Sequence, residues 1–421
     1  MPFSRRDFCK AALALPLVTQ ARLTKPGFEG DGAKKYTYYG RGQDYKEFKI
    51  IDEGLTIVKV ETFTNPKVGV VRIQTNDGSE GYGQMSPHDA DFTAMFLHRK
   101  VAEHFLGKDP AHIDALVDQC IEANYKFPWT FVCRALCGLD TAIWDLYGKI
   151  KQKPVVELLG GKLQGITAYG SSMSRKITPE DEAARMIQLR DSKGFSAFKL
   201  RVGQKTGHDV DAWPGRTEKL VPTVRKALGD NIDILVDANS GYSPPKAIEV
   251  GRMLEDNNVY FFEEPCPYWE LEWTAEVANK LKVLVAGGEQ DNDMAQWQRM
   301  IAMNAVDIVQ PDIGYIGGLT RALRVARLAQ QAGKLCIPHS SSLSMVCLFA
   351  CHMLGAIPNS KYLEFTIDDD SELNRESKAM YEPGLAVVDG KVGIPQEPGW
   401  GVRVNKAWLE SAEYQTSEKR S

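Results

Sequence analysis

The sequence lacks both a surplus of charge of one sign and, after its N-terminus, a long apolar run. Its 421 residues carry 55 acidic and 51 basic side chains, which gives a net charge of -4. A protein that binds a phosphate backbone needs an excess of cations, so we expect no nucleic-acid partner. A membrane-spanning helix needs about 20 consecutive apolar residues, so we expect no membrane span.

Cysteine motifs and low-complexity segments are missing as well. The eight Cys are scattered, without CxxC or the Cys/His spacing typical of zinc sites, and we expect buried thiols. The 36 Gly and 21 Pro are too few for a low-complexity or fibrous chain. At roughly 150 residues per domain, the length predicts two or three folded domains.

The first residues differ from the rest of the chain. Arg5 and Arg6 precede an apolar run at 11–18 and the small-residue stretch 19–21, a pattern that resembles a twin-arginine export signal. We therefore expect residues 1–21 to be a signal and the protein to be periplasmic or otherwise exported. The apolar run is short and contains Pro16, and a signal that does not function would leave the protein in the cytoplasm. Residues 22–47 are predicted to be a linker.

The block at 48–162 is predicted to be an α+β domain. Apolar residues alternate from 55 to 73, and Asn76-Asp77-Gly78 is a strong hairpin signal, which together indicate an antiparallel sheet. From residue 98 to 159 the apolar period becomes helical, and Gly160-Gly161 ends the helical pattern.

From residue 163 to 383, short apolar strands alternate with helices, as a parallel β/α barrel requires. The eight predicted strands are 166–168, 197–200, 232–236, 260–262, 283–286, 308–309, 335–337 and 362–363. A doubly wound sheet is the alternative, but no GxGxxG follows the first strand, which disfavours a dinucleotide site. Residues 384–402 are expected to return to the N-terminal domain as a strand, and residues 403–421 to form a polar tail.

A charged or titratable residue stands at or just after each strand from the second to the eighth. These residues are Lys199, Arg201, Asp237, Glu263, Glu289, Asp312, His339 and Glu364. Barrel enzymes carry their active sites at the carboxyl ends of the strands. The pattern therefore predicts one active site, at that rim.

Three members of this set, Asp237, Glu263 and Glu289, come from adjacent strands. Three carboxylates that meet in a barrel mouth repel one another unless a cation lies among them, and all-oxygen ligands favour Mg²⁺, with Mn²⁺ as a substitute. Asn239 follows on the same face and is expected to touch a ligand or a water molecule. Glu264 is expected on the opposite side of its strand, paired with a lysine.

His339 and Asp312 end neighbouring strands. Neighbouring strand ends lie about 5 Å apart, so Asp312 can bind one imidazole nitrogen and leave the other as a proton acceptor. The pair is predicted to be a general acid/base dyad.

The combined motifs resemble the enolase superfamily, mandelate racemase subgroup, over residues 48–402. The motifs are Lys199-Leu200-Arg201, Val236-Asp237-Ala238-Asn239, Phe262-Glu263-Glu264-Pro265, Gly288-Glu289, Pro311-Asp312, Pro338-His339 and Leu363-Glu364. Asp77-Gly78, Gly81-Tyr82-Gly83 and the stretch 142–146 resemble that family's capping domain. The resemblance implies a modified (β/α)7β barrel of the TIM type with an α+β capping domain.

The resemblance also implies abstraction of the proton next to a substrate carboxylate, with Mg²⁺ stabilising the resulting enediolate. Lys199 would face the substrate carboxylate, and Glu364, if protonated, would donate a hydrogen bond to it. Members with Lys-x-Lys use the second lysine as a base, but this chain has Arg201 there, and arginine is a poor base.

A site in which His339 is the one obvious base favours dehydration of a sugar acid to a 2-keto-3-deoxy acid. This is a carbon-oxygen lyase reaction in carbohydrate acid catabolism. A racemase or epimerase of a hydroxy acid is the alternative, with Arg201 as an unusual base, and a non-catalytic sugar-acid binding protein is a third. The substrate is expected to be a small-molecule carboxylate. The cap loop at 84–91 is expected to bind it through Ser86 and His88, and the insertion at 203–214 to overhang the site. We also expect a homo-oligomer.

Overall fold

The computed structural model describes residues 54–127, 129–368 and 370–419. The predicted signal at 1–21 and linker at 22–47 lie outside these residues, so export stays a prediction. None of the helices in the described ranges has the length and hydropathy to cross a bilayer.

The N-terminal region is built on an antiparallel sheet of four strands in the order β16-β1-β2-β3. Its strands are β1 (Ile57–Thr64), β2 (Gly69–Thr75), β3 (Glu80–Gln84) and β16 (Glu413–Glu418). The turn between β2 and β3 contains Gly78 with φ of 87°, a conformation that favours glycine. The predicted hairpin is therefore present. The polar tail predicted at 403–421 contains β16, which pairs with β1 and so belongs to the sheet.

The helices of this region pack on one face of the sheet. They are α1 (Ala90–Phe96), α2 (Ile113–Ala123), α3 (Thr130–Lys151) and α4 (Val155–Leu158). A Cβ atom at Gly83 would lie 2.4 Å from the Gly138 carbonyl oxygen, so α3 approaches β3 more closely than a side chain would allow. The carboxylate of Asp145 accepts hydrogen bonds from the Tyr82 and Trp400 amides at 2.8 and 3.1 Å. The Gly81-Tyr82-Gly83 signature thus has a packing role.

The barrel region has eight parallel strands. They are β4 (Gly165–Ser171), β5 (Ala197–Arg201), β6 (Asp233–Asp237), β7 (Val259–Glu263), β8 (Leu284–Gly287), β9 (Ile308–Val309), β10 (Leu335–Cys336) and β11 (Leu363–Thr366). Strands β4 to β10 are neighbours in sequence order, and β11 pairs with β4. Tyr169, Leu235, Phe261, Ile308 and Ile337 are among the side chains of the buried core of the barrel.

Helices alternate with these strands on the outside of the barrel. They are α5 (Pro179–Lys193), α6 (Arg216–Leu228), α7 (Pro244–Asp256), α8 (Leu271–Lys280), α9 (Met294–Ala302), α10 (Ile313–Ile316), α11 (Leu319–Gln331), α12 (Met345–Leu354) and α13 (Glu372–Met380). The predicted fold class, a TIM-type barrel with an α+β cap, is confirmed.

The C-terminal segment joins the two regions. It contains β12 (Tyr381–Glu382), β13 (Val387–Val388), β14 (Lys391–Gly393), β15 (Arg403–Val404) and α14 (Lys406–Ser411). Strand β14 pairs with β4 of the barrel, whereas the Trp400 indole donates to the Thr141 carbonyl of α3 at 2.9 Å. The return at 384–402 therefore reaches the cap through Trp400, while its strands extend the barrel sheet.

Candidate active site

The polar residues predicted at the strand ends meet at one rim of the barrel. Arg201, Asp237 and Glu263 are the last residues of three consecutive strands and stand side by side in register. Glu289 follows β8 by two residues, and Asp312 and His339 come from the loops after β9 and β10. All of these side chains are buried, so their charges act on one another with little screening by water.

Asp237, Glu263 and Glu289 form a carboxylate triad with one oxygen of each within 4.8 Å of the others. Oε2 of Glu289 accepts no hydrogen bond from the described residues. Burial raises the pKa of Glu289 because the charged form loses its hydration. Three converging carboxylates, one with a buried oxygen that accepts no hydrogen bond in the described ranges, suit a hard divalent cation that takes oxygen ligands. The donor set therefore fits Mg²⁺.

Lys199 lies against the triad. Its Nζ is 2.9 Å from both carboxylate oxygens of Glu263 and 2.8 Å from Oε1 of Glu364. Gln310 Nε2 donates to Glu263 Oε2 at 2.9 Å. Sequence reasoning missed Gln310, although it stands two residues before Asp312 at the same strand end. These contacts fix the orientation of the Glu263 carboxylate.

Glu364 differs from the expectation of a protonated donor. Burial alone favours the neutral carboxyl, but the positive charges of Lys199, His339 and Arg201 outweigh burial and hold the pKa of Glu364 below its usual value. Its carboxylate accepts hydrogen bonds from Ser171 Oγ at 2.7 Å and from the Ser340 amide at 2.8 Å. Glu364 is therefore an ionised acceptor here.

The predicted dyad is present. His339 Nδ1 lies 2.6 Å from Asp312 Oδ2, and Asp312 Oδ1 accepts from the Tyr315 amide at the start of α10. His339 Nε2 faces Glu289 Oε2 at 3.4 Å. Burial lowers the pKa of His339, but Glu289 and Asp312 outweigh burial and raise the pKa to about 10. In the protein without metal, the carboxylates that face the ring therefore favour the protonated imidazole.

Arg201 is held by four groups. Its guanidinium is ion-paired with Asp237, and it also donates to the Ser172 carbonyl and to Asn239 Oδ1 at 3.1 and 3.0 Å. Its Nη2 lies 2.9 Å from the Met173 sulfur. Asn239 has a positive φ of 43°, and its amide donates to Asp237 Oδ1 at 2.7 Å. Asn239 thus contacts both Arg201 and Asp237 of the triad.

The expectation that Glu264 points away from the site and pairs with a lysine is wrong. Its φ of 39° lies in the left-handed region, so the alternation of side chains along an extended strand ends at Glu263. Burial, together with the charges of Glu289 and Glu263, raises the pKa of Glu264 well above its usual value. Oε1 of Glu264 has no hydrogen-bond partner within the described ranges. Glu264 is a fourth carboxyl group close to the triad.

The structure separates the two cap residues. His88 lines a small cavity with Asp312, Tyr315 and Ser340, so it lies beside the dyad. Ser86 is fully buried, and its hydroxyl accepts a hydrogen bond from Arg134 at 2.6 Å. The Ser86 hydroxyl therefore orients a cap arginine, and its predicted contact with substrate stays a prediction.

The insertion at 203–214 is tied to the barrel. Asp209 accepts hydrogen bonds from the amide and the hydroxyl of Ser243 at 2.6 and 2.8 Å. Asp211 accepts from the amide and the hydroxyl of Thr217 at 2.7 and 2.9 Å. The insertion thus forms a fixed wall beside β5 and β6.

Comparison with protein families decides the classification. Residues 47–160 match the mandelate racemase/muconate lactonizing enzyme N-terminal domain, and residues 181–408 match the enolase C-terminal domain-like family. The chain belongs to the mandelate racemase/muconate lactonizing enzyme family of the enolase superfamily. The resemblance drawn from the strand-end motifs is confirmed.

Curated relatives in this family include two dehydratases. Arabinonate dehydratase of Saccharolobus solfataricus is 28% identical over 382 residues, which cover 87% of this chain and 98% of the relative. The L-talarate/galactarate dehydratase of Salmonella typhimurium is 28% identical over 346 residues, 82% of each chain. The prediction of an enzyme of the hydro-lyase class is confirmed.

Solved structures share the fold of this family member. A proposed racemase of Roseobacter denitrificans is 50% identical, with a TM-score of 0.85 over 86% of this chain and all of that one. A Paracoccus denitrificans member complexed with magnesium is 29% identical, with a TM-score of 0.79 over 87% and 98%. L-talarate dehydratase of Polaromonas sp. JS666, complexed with Mg and L-glucarate, is 25% identical, with a TM-score of 0.76 over 87% and 100%. Together with the triad, these neighbours confirm Mg²⁺ as the cofactor.

Proposed function

We propose that this chain dehydrates a sugar acid to a 2-keto-3-deoxy acid and that His339 is its general base and acid. The observation that carries the proposal is the arrangement of groups around the triad. The triad strands β6 to β8 lie between β5, which carries Lys199 and Arg201, and β9 and β10, which lead to Asp312 and His339. A substrate carboxylate at the triad would have fixed cations on one flank and a proton acceptor on the other.

The binding step depends on neutralising the substrate carboxylate. Asp237, Glu263 and Glu289 would hold Mg²⁺, which supplies a Lewis acid that lowers the energy of the enediolate dianion. Lys199 contributes a buried ammonium, already oriented by Glu263 and Glu364. A preorganised charge in a buried site stabilises developing negative charge without reorganisation.

The chemical steps would then belong to His339. Neutral His339 takes the α-proton through Nε2, while Asp312 fixes the ring through Nδ1. The imidazolium returns a proton to the β-hydroxyl as its carbon-oxygen bond breaks, which releases water. The remaining enol loses its hydroxyl proton and takes up a proton at the β-carbon, which gives the isomeric 2-keto-3-deoxy acid. His339 is neutral at the start and at the end, so the proton count balances.

Binding of the cation accounts for how His339 reaches its neutral form. The negative charge of Glu289 is the largest influence that raises the pKa of His339. A divalent cation among the three carboxylates offsets that charge, and a bound cation is often the largest local charge in a site. Metal binding is therefore expected to lower the pKa of His339 and to prepare the base.

Racemisation is the second candidate, favoured by the proposed racemase of Roseobacter denitrificans at 50% identity. A racemase needs a base on each face of the substrate. The group on the β5 flank is Arg201, a guanidinium paired with Asp237, and an arginine stays protonated near neutral pH. The intact triad and dyad also disfavour a non-catalytic binding protein.

The proposal is tested by a screen of mono- and diacid sugars with Mg²⁺, scored both for 2-keto-3-deoxy products and for inversion at the α-carbon. Wild-type protein should yield a keto acid from at least one sugar acid, and EDTA should stop the reaction. The control is the His339→Asn variant, which should yield none. Inversion without any keto acid would support the racemase instead.

A further inference from the structure

Arg175, in the segment after β4, is a cation without an acidic partner. Its Nε donates to the Gly203 carbonyl at 2.9 Å, and its Nη2 donates to Asn239 Oδ1 at 2.8 Å. A third, longer contact of 3.4 Å reaches the Val202 carbonyl. All three acceptors are uncharged. Within the described part of the chain, no carboxylate forms an ion pair with Arg175, and its Nη1 makes no hydrogen bond.

Two more arginines stand close to Arg175. Arg201 shares the same acceptor, Asn239 Oδ1, at 3.0 Å, and Arg216 donates to the Arg201 carbonyl at 2.7 Å. The charges of Arg201 and Arg216 add to burial and lower the pKa of Arg175 to about 10. Arginines with like charge repel one another in a partly buried site, and an anion bound there would offset that repulsion.

The carboxylates near this corner are already engaged. Asp237 pairs with Arg201 and belongs to the metal triad. Asp211 accepts two hydrogen bonds from Thr217, in the first turn of α6. Neither carboxylate contacts Arg175 directly, and the charge of Asp211 acts on it only at longer range. Within the described ranges, no ion pair therefore neutralises Arg175.

The corner is connected to the triad by short contacts. Asn239 Nδ2 lies 3.2 Å from Asp237 Oδ2, and Asn239 Oδ1 lies 2.8 Å from Arg175 Nη2. A single side chain therefore separates a triad carboxylate from Arg175. An acid bound by one end at the triad would therefore have Arg175 one side chain away.

We propose that Arg175, supported by Arg201, binds the distal carboxylate of the substrate, so that the preferred substrates are sugar diacids rather than monoacids. The inference rests on the proposed function, because it assumes that the first carboxylate lies at the triad. Arginine suits this task because it stays charged and carries five N–H donors, and Nη1 of Arg175 makes no hydrogen bond within the described ranges. A terminal hydroxymethyl group in place of the carboxylate would leave the charge of Arg175 uncompensated.

The test measures binding, so that it does not depend on turnover. The Mg²⁺-loaded His339→Asn protein is titrated by calorimetry with two pairs of acids that differ only at the terminal carbon, galactarate with galactonate and glucarate with gluconate. At least one diacid should bind at least about tenfold more tightly than its monoacid, a difference of about 1.4 kcal/mol, since hydrogen bonds to charged groups are stronger than those to neutral groups.

Variants of Arg175 in the same background locate the source of the preference. Arg175→Gln should remove the preference for the diacid. Arg175→Lys should keep part of the preference, because lysine carries the positive charge but lacks the planar guanidinium. Lys176→Gln is the matched control, since it removes a positive charge from the exposed next residue, and it should leave the preference unchanged.

Three results would overturn the subsite: equal or tighter binding of the monoacids, an equal loss for both members of a pair in Arg175→Gln, or no binding of any of the four acids. Failure of the proposed function looks different. In that case the protein with His339 intact would form no keto acid, while the titrations would still report whether Arg175 selects diacids.

Discussion

The two flanks of the carboxylate triad carry different kinds of charge. On the β5 flank, two cations are held in place by acceptors. Lys199 contacts two carboxylates, those of Glu263 and Glu364. Arg201 contacts the Asp237 carboxylate and the Ser172 carbonyl. On the other flank, His339 is held only at Nδ1, by Asp312, and its Nε2 faces the triad. One flank has a fixed charge, and the other has a group that can gain or lose a proton.

The difference bears on the reaction. Deprotonating an arginine at pH 7 against a pKa of about 12.5 to 13.8 costs about 7 to 9 kcal/mol. Deprotonating His339 costs less, since its pKa is about 10 without metal and is expected to fall when the cation binds. A site with one such group can remove a proton and return it to a leaving group. It has no second base to deliver the proton to the opposite face, which disfavours racemisation.

Loss of a triad carboxylate should have the largest effect, because both flanks are organised around the triad. Glu263→Gln removes one negative charge from the cation site. It also removes the carboxylate oxygen that accepts hydrogen bonds from Lys199 and Gln310. We expect turnover to fall below detection and the affinity for Mg²⁺ to fall at least about 100-fold, since even indirect changes at metal sites cost 10- to 100-fold. Calorimetric titration with Mg²⁺ measures the affinity, and circular dichroism checks the fold.

The matched control is Glu276→Gln on the exposed face of α8, whose carboxylate pairs only with Lys280 among the described residues. It changes the same net charge and should leave Mg²⁺ affinity unchanged. Full activity of the wild-type protein in EDTA would show that the cation does not organise the site.

The next largest effect should come from the flank that moves protons. General-base catalysis typically contributes about 10² to 10⁴ in rate, so His339→Asn should lower turnover by at least that factor. Exchange of the substrate α-proton with solvent deuterium, followed by NMR, should stop as well. If the variant exchanged this proton at a rate close to wild type, the base would lie on the β5 flank and the comparison of the flanks would be wrong.

A smaller effect is expected when the fixed cation becomes a titratable one. Arg201→Lys keeps a positive charge near Asp237 but loses the fork that also reaches the Ser172 carbonyl and Asn239. We expect kcat/KM to fall about tenfold, with α-proton exchange retained, because His339 is unchanged. A lysine can serve as a second base, so epimerised substrate should appear by chiral chromatography. Complete loss of exchange would place Arg201 in the proton-transfer step.

The sequence predicted the barrel and the members of the site because both depend on spacing. Parallel strands of a barrel bring their carboxyl ends to one rim, so a polar residue at each strand end, from Lys199 to Glu364, is enough to predict which side chains meet. The dyad followed from the same reasoning, because Asp312 and His339 end neighbouring strands.

Other features depended on information that spacing does not carry. The left-handed φ of Glu264 ends the alternation of side chains along β7, and no residue pattern marks that conformation. The protonation states of Glu364 and His339 depend on which charges face them across the barrel. Arg175 escaped notice because it stands four residues beyond the end of β4, outside the strand-end period. Strand β16 is polar and exposed, so its sequence gave no alternation of apolar residues.

The smallest effect is expected from a change at Asp140, a buried carboxyl that has no cation beside it among the described residues. The change should affect the free energy of unfolding rather than catalysis. Asp140 of α3 is fully buried, accepts a hydrogen bond from the Thr320 amide of α11 at 3.2 Å, and has a second oxygen without a partner among the described residues. Burial raises the pKa of Asp140 to about 7. In the triad, by contrast, Lys199 and Arg201 compensate the carboxylates.

The folded protein binds this proton more tightly than the unfolded chain does. As the pH rises from about 4 to about 7, Asp140 therefore lowers the free energy of unfolding progressively, because only the unfolded chain releases the proton freely. Above about pH 7 the loss stays constant. Asp140→Asn keeps the acceptor for Thr320 and removes the buried charge. The variant should therefore gain about 2.7 kcal/mol relative to wild type at pH 8 compared with pH 5, since the effect changes over about two pH units at about 1.36 kcal/mol per unit. Urea unfolding at the two pH values measures the difference. An equal change at both pH values would mean that Asp140 does not titrate in this range, and that an unseen positive partner compensates this carboxylate as Lys199 and Arg201 compensate the triad.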